Sequence, residues 1–317
     1  MDFAPYVPSV NRAGVVAFQA ALADGRTGVY AGDGDVPVVI AESGVAGLGA
    51  VTSHPDIDAA GRVSFYGETD TGEQALYFGE PGGVSAVVRG LGDLAGIGPA
   101  GPAMNDAGWI GLRATRGDGG AGMYLYGEGQ RVTIAETGWF SSFEGLPVVN
   151  RRGSVVIRAN HPDGGQGIYL HRAGVLQPVV ETGAVFQALG RFPDLDDDDA
   201  VVFAALRRDG RSGVHWAAGG WVDTVMGSGA GYTVFRGALI GGTGSVVGIA
   251  STEDTPLGVF GGPDPVRDRV VAVGDTLFGS TVTDLALNPV SGNQAGQLAI
   301  RLTLASGVQR IVRADRA

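Results

Sequence analysis

The sequence predicts an all-β fold, a seven-bladed β-propeller of four-stranded antiparallel blades, and three observations carry that prediction. The stretch NRAGVVAFQAALADGRTGVY, from Asn11 to Tyr30, returns six more times with falling fidelity. Most copies lie 45 to 47 residues apart, a spacing that suits propeller blades better than the shorter solenoid repeats. Each copy also divides into four strand-sized segments and one longer connection, the meander of a blade that steps to its neighbour.

The copies start at the turn glycines Gly14, Gly61, Gly108, Gly153, Gly244 and Gly296, with Asp199 in the glycine's place in the fifth. They set one propeller domain over residues 1–317, with blades at approximately 1–44, 45–90, 91–138, 139–183, 184–229, 230–275 and 276–317. The first segment is short and ends in P-x-x-N or a relative: PSVN from Pro8, PDID from Pro55, PAMN from Pro102, PVVN from Pro147 and PDLD from Pro193. An Asn or Asp three residues ahead of a glycine suits a type I turn, because its side chain bonds its own backbone. The second segment is the β-rich run after that turn, such as Trp109 to Ala114 and Val201 to Leu206. Asp- and Gly-rich hairpins such as RGDGG and HPDGG then lead to a third segment marked GVY at Gly28, ALY at Ala75, GMY at Gly122, GIY at Gly167, GVH at Gly213, GVF at Gly258 and GVQ at Gly307. The fourth segment includes Val36 to Ala41 and Arg131 to Ala135, and the connection behind it carries Leu48, Leu94, Phe140, Phe186, Tyr232 and Phe278 at intervals of 46. No segment reads as a helix. The seventh unit stops after its third segment, so the last blade is expected to hold three strands. It is expected to close on the first blade without a strand swap, with Leu285, Leu287, Leu298 and Ile300 against Val10, Val16 and Phe18.

Composition narrows the chemistry. The 317 residues are 44% hydrophobic and 17% charged, enough for a large core despite 56 glycines. Cysteine is absent, which removes disulfides and thiolate chemistry, and all 22 basic residues are arginine, which removes Schiff-base chemistry. A net charge of −11 argues against nucleic acid as a partner. No apolar run reaches the roughly 18 residues of a membrane span, and no signal peptide precedes Asp2. A monomer is expected, with an extracellular or periplasmic location favoured and a cytoplasmic one left open.

The repeat resembles the NxxGxxAF tandem-repeat (choice-of-anchor) bacterial proteins. Asn11 to Phe18 matches that signature position for position, Asn150 to Ile157 keeps the Asn and Gly, and Asp199 to Phe203 keeps the Phe. The resemblance implies a propeller-like repeat and an exported protein, and it transfers no catalytic residue.

Candidate functional residues are sought where the repeat is broken. The aromatic series Tyr30, Tyr77, Tyr124, Tyr169, His215 and Phe260 occupies one strand position in six blades and is expected to pack between blades. The departures lie just before and inside the first segments, which rim the mouth where the crossovers arrive. His54 and Asp56, two residues apart, would suit a general acid/base with an orienting carboxylate. Arg191 and Arg236 share one repeat position and could hold a carboxylate or sulfate, with Asp194 nearby. Glu136 and Glu181, with Glu42, recur at the end of the fourth segment, Trp139 is an isolated loop indole, and His161 stands in a hairpin. No cofactor and no metal are expected. Calcium remains the alternative at Asp194 and the run Asp196 to Asp199, although the EF-hand spacing is missing.

The leading functional reading is a non-catalytic binding or interaction propeller that takes a saccharide or another small polar ligand at the channel mouth. The alternative is a propeller lyase or hydrolase using His54, Asp56 and the arginines of the same mouth. A purely structural surface-layer role is a third class.

Overall fold

The computed structural model describes residues 1–3, 5–88, 92–242 and 244–315 as seven antiparallel sheets, one per repeat, closed into a seven-bladed propeller. In blades two, three and five the innermost strand is broken in two. Leu48–Val51 and Asp56–Ile57 both pair with Val63–Thr69, and Leu94–Ile97 with Ala103–Met104, and Phe186–Leu189 with Asp194–Leu195, repeat the arrangement. Prolines at 55, 99, 102 and 193 fall at these breaks, each removing a ladder donor, although Pro147 lies within the continuous strand Ser142–Val149 of blade four. The short inner pieces surround a cavity of about 130 Å³ that residues from all seven blades line.

The G-x-aromatic motif has a steric cause. A Cβ on Gly122 would stand 2.4 Å from the Tyr124 ring, and on Gly167 and Gly258 it would stand 2.5 and 2.8 Å from Tyr169 and Phe260. The ring folds back over the residue two positions before it on the same strand face. Across the strands that residue faces an alanine, in the pairs Ala20↔Gly28, Ala114↔Gly122, Ala159↔Gly167, Ala205↔Gly213 and Ala250↔Gly258. Blade two exchanges the pair to Gly67↔Ala75, and there a Cβ on Gly67 would meet Tyr77 at 3.0 Å. Blade seven drops the device altogether. Its landmark is not Gly307 to Gln309, which opens the hairpin, but Arg310-Ile311-Val312: Val312 pairs with Ile300 as Tyr30 pairs with Phe18. With valine in the ring's place, arginine fits where glycine stood.

The N-x-x-G turns also fasten the blades to one another. Asn11 Oδ1 accepts from the amides of Ala13 and Val15, and its Nδ2 donates to the Asp58 carbonyl of the next blade at 2.9 Å. The same donation runs from Asn105 to Asn150, from Asn150 to Asp196 and, closing the ring, from Asn293 to Asn11. The turn glycines hold φ near +80°, at Gly14 and Gly61 for instance, and Asp199 holds +67° in the fifth copy, a region that aspartate tolerates better than most residues.

The long segments of blade seven number three, Ser280–Ala286, Leu298–Leu304 and Gln309–Ala314. A two-residue strand, Thr276–Leu277, pairs on the first and brings the sheet to four. The N-terminus stays with blade one, where Asp2 bridges Ala21. The apolar seam differs from the expected one. Leu285, Leu298 and Ile300 point to blade six and pack with Leu239, Val259 and Val271, whereas Val10, Val16 and Phe18 meet Ala299, with Ile311 half-buried beside them. Alternation along the strand is the reason, because only the intervening residues face blade one. This face offers blade one an alanine where blade six receives leucines. Amides of residues 298–312 are therefore expected to exchange sooner than those of 155–159, and equal protection in native-state hydrogen exchange would show that the seam is no weaker than the mid-ring.

Candidate functional site

The sequence-predicted residues separate into three groups. His54 and Asp56 are both buried, at 3% and 7% exposure, and do not bond each other. His54 Nε2 lies 3.3 Å from the Pro102 carbonyl, to which it must donate, and burial pushes its pKa down to about 4, so it is neutral at pH 7. Asp56 accepts from its neighbour Ile57 at 2.8 Å and from the amide of Met104 in blade three at 2.6 Å. Asp194 repeats this, accepting from Leu195 at 2.8 Å and from Ile240 in blade six at 2.9 Å. Burial, working against those amide bonds, pushes both carboxyls up to about 7.

These two junctions have something in common. In the turn of blade two the asparagine is replaced by Asp58, and in that of blade five by Asp196, and neither carboxylate has an N–H to give the next blade. At those two steps a buried aspartate takes an amide of the following blade instead. The geometry of Asp56 and Asp194 is thus that of fasteners between inner strands.

The glutamates sit away from the channel. Tyr30, Tyr124 and Tyr169 donate their hydroxyls to Glu42, Glu136 and Glu181 at 2.8, 2.9 and 2.6 Å. Burial first, and then the glutamate, raises each phenol's pKa. Where the aromatic has no hydroxyl the acid is absent too: Gly227 stands opposite the His215 arm and Ala272 opposite that of Phe260. His161 joins this layer through a 2.6 Å bond between its Nε2 and the Tyr169 hydroxyl. Trp139, 67% exposed, follows Glu136 on the crossover into blade four. The carboxylates of Asp196 to Asp199 are each engaged. Asp196 accepts from the amides of Asp198 and Ala200, Asp197 pairs with Arg151 at 3.3 Å, Asp198 with Arg152 at 2.6 Å and Asp199 with Arg172 at 3.3 Å. Among the described residues no group of three or more metal-ligating side chains converges.

What does converge at the crossover-side mouth is a group that the sequence reading found only in part. Arg191 Nε donates to Glu144 at 2.9 Å, and Glu144 stands directly across the strand pair from Arg158. Arg113 of blade three and Arg158 of blade four both sense Glu144 and Arg191. Their pKa values are lowered first by burial, with Glu144 pulling up and Arg191 pushing down. Arg158 is only 4% exposed. One of its Nη atoms donates to Asn160, while its Nε is buried without a partner among the described residues. Arg113 and Arg158 each lie five residues after a turn glycine, where the other blades carry Gln19, Tyr66, Ala204, Ile249 and Arg301. The Gln19 Oε1 and Arg301 Nε atoms in this set are also buried without a hydrogen-bond partner among the described residues, and the buried Tyr66 hydroxyl meets the Arg113 backbone. A repeat-by-repeat alignment of the second segment would have shown this polar belt. Arg236, exposed on blade six at the position of Arg191, has no ion-pair partner among the described residues.

The fold is a seven-bladed β-propeller in which Arg113, Arg158 and Arg191 gather around Glu144. No protein-family model matches the chain, and no curated protein does. Among solved structures it is similar to an oligogalacturonate lyase from Vibrio parahaemolyticus, at 13% identity over 99% of this chain and 92% of that one, with a TM-score of 0.64. It is also similar to an acylaminoacyl peptidase from Pyrococcus horikoshii, at 12% identity and TM-score 0.60, covering 96% of this chain and 51% of the peptidase. The β-propeller domain of Cps50 (Swd1) from Myceliophteria thermophila matches at 12% identity and TM-score 0.50 over 99% and 98% of the two chains. These likenesses concern the fold. No helix among the described residues is long and apolar enough to cross a membrane.

Proposed function

We propose that the chain is a non-catalytic binding propeller, acting as a monomer without a metal, whose crossover-side mouth takes a carboxylate- or sulfate-bearing saccharide. The observation that supports this reading is Arg158: a residue only 4% exposed, with a buried Nε that has no partner among the described residues, flanked by Arg113 and Arg191 and only one glutamate. A buried cation is costly unless an anion meets it, and arginine's planar fork suits carboxylate and sulfate. The substrate in the name of the Vibrio enzyme, an oligogalacturonate, belongs to this acidic class. The likeness to the NxxGxxAF repeat proteins agrees with an exported saccharide binder, and exposed Trp139 on the same crossover face offers a stacking surface.

Titration calorimetry with oligogalacturonate and with an uncharged oligosaccharide of equal length provides the test. The acidic ligand is expected to bind at least tenfold more tightly, and Arg191→Ala and Arg158→Met to abolish that binding. Arg158→Met should leave the melting temperature unchanged or higher, since it removes an unsatisfied buried charge. Equal affinity for the neutral sugar would overturn the reading, and consumption of the ligand would shift it to a lyase or hydrolase.

A further inference from the structure

Six blades place a fourth strand outside their third segment; blade seven does not. Gln309–Ala314 pairs with Leu298–Leu304 on one side, and no described residue pairs with its other edge. The consequence shows in burial. Val29 and Tyr30, Met123 and Tyr124, and Ile168 and Tyr169 are buried on their third segments, whereas the equivalent Ile311 and Val312 are half-exposed. Beside that edge a groove of about 460 Å³ opens between blades seven and one, lined by Phe3, Val16, Phe18, Pro37, Ile311 and Val312.

The repeat states what such an edge accepts. In blades one, three and four the fourth strand runs antiparallel to the third and sets Glu42, Glu136 or Glu181 opposite Gly28, Gly122 or Gly167. The next residue pair is apolar: Ala41 faces Val29, Ala135 faces Met123 and Val180 faces Ile168. In blade seven the position opposite the glutamate is held by Arg310, exposed and 5.9 Å from the Phe278 ring, and the apolar position by Ile311. Just past this strand the Asp315 carboxylate accepts from Gln297 at 2.7 Å and from Arg313 at 2.8 Å.

We propose that the outer edge of blade seven is a docking site for an extended strand of a second polypeptide. That strand runs antiparallel to Gln309–Ala314, has apolar residues at alternate positions, and sets an acidic residue against Arg310. Main-chain hydrogen bonds would supply affinity, as in β-strand addition, and the groove and Arg310 would supply selectivity.

The probe is a labelled synthetic peptide with the sequence of residues 129–138, GQRVTIAETG, which contains the strand Gln130–Glu136. Saturating peptide is expected to slow amide exchange of residues 309–314 at least tenfold, with a scrambled peptide inactive. Arg310→Glu, a surface change, should abolish the effect, and a peptide with lysine in place of its glutamate should restore it. No protection at millimolar peptide, protection that ignores the charge exchange, or protection already present through edge-to-edge dimers of the protein alone would each overturn the proposal.

Discussion

Alanine at position 122 is expected to cost about 3 kcal/mol of stability in the native sequence and almost nothing once Tyr124 has become valine. The cost arises because the added Cβ would sit 2.4 Å from the Tyr124 ring, which has no room to retreat: the residue is fully buried and its hydroxyl is held by Glu136. Moving the ring would therefore strain its rotamer and lengthen a buried hydrogen bond. Tyr124→Val alone should also destabilise, by about 3 kcal/mol through lost packing, but it removes the obstacle. Blade seven already contains the compensated combination, Arg310 with Val312. Denaturant unfolding of the two single variants and the double variant measures the coupling, and an alanine cost that is the same in both backgrounds would contradict the steric account.

The second large effect is a fall in stability as pH rises from 5 to 8, traced to Asp56 and Asp194. Both carboxyls have folded pKa values near 7, above the 3.8 of an unperturbed aspartate. Between about pH 4 and pH 7 the fold holds protons that the unfolded chain has released, so each increment of pH favours unfolding. The contribution is complete below about 4, is lost through about 7 and is flat above that. Between pH 5 and pH 8 it amounts to about 3 kcal/mol per aspartate. The double variant Asp56→Asn/Asp194→Asn cannot titrate at these sites and gives up one acceptor at each. It should melt well below the wild type at pH 5, and the gap should narrow steadily toward pH 8. Parallel melting curves across that range would show that the two carboxyls stay ionised in the fold.

Much of the architecture could be read in advance because the repeat is written in glycines whose roles are local. Gly14 and its counterparts are dictated by a left-handed turn and Gly122 by a ring two residues away, so a single strand of text suffices to find them. The seventh landmark was missed for the converse reason. Once Val312 replaced the ring, nothing required glycine at 310, and the hairpin's Gly307 drew the alignment instead. Asp56 and Asp194 were visible as departures, but their partners are backbone amides of the following blade, and one copy of the repeat cannot display what it gives to the next. The coincidence with Asp58 and Asp196 was nevertheless in the sequence. Arg113 and Arg158 were overlooked because the second segments appear uniformly β-rich, and only numbering from the turn glycine separates their position from its apolar neighbours.

The turn bonds also bear on how such a chain could have been assembled. Each asparagine side chain acts forward, on the blade that follows it, and in blades two and five the replacement, Asp56 or Asp194, also acts forward, whereas blade six carries Gly241 at that turn position. A unit excised as one blade would carry half of two different fastenings and complete neither. The module that can be duplicated or exchanged intact is therefore a junction, running from the inner strand of one blade to the inner strand of the next. Blades two and five, which share the aspartate version, would be interchangeable in front of Met104 and Ile240 but ill-suited ahead of Pro8, where the seam relies on Ser291 and Asn293 instead.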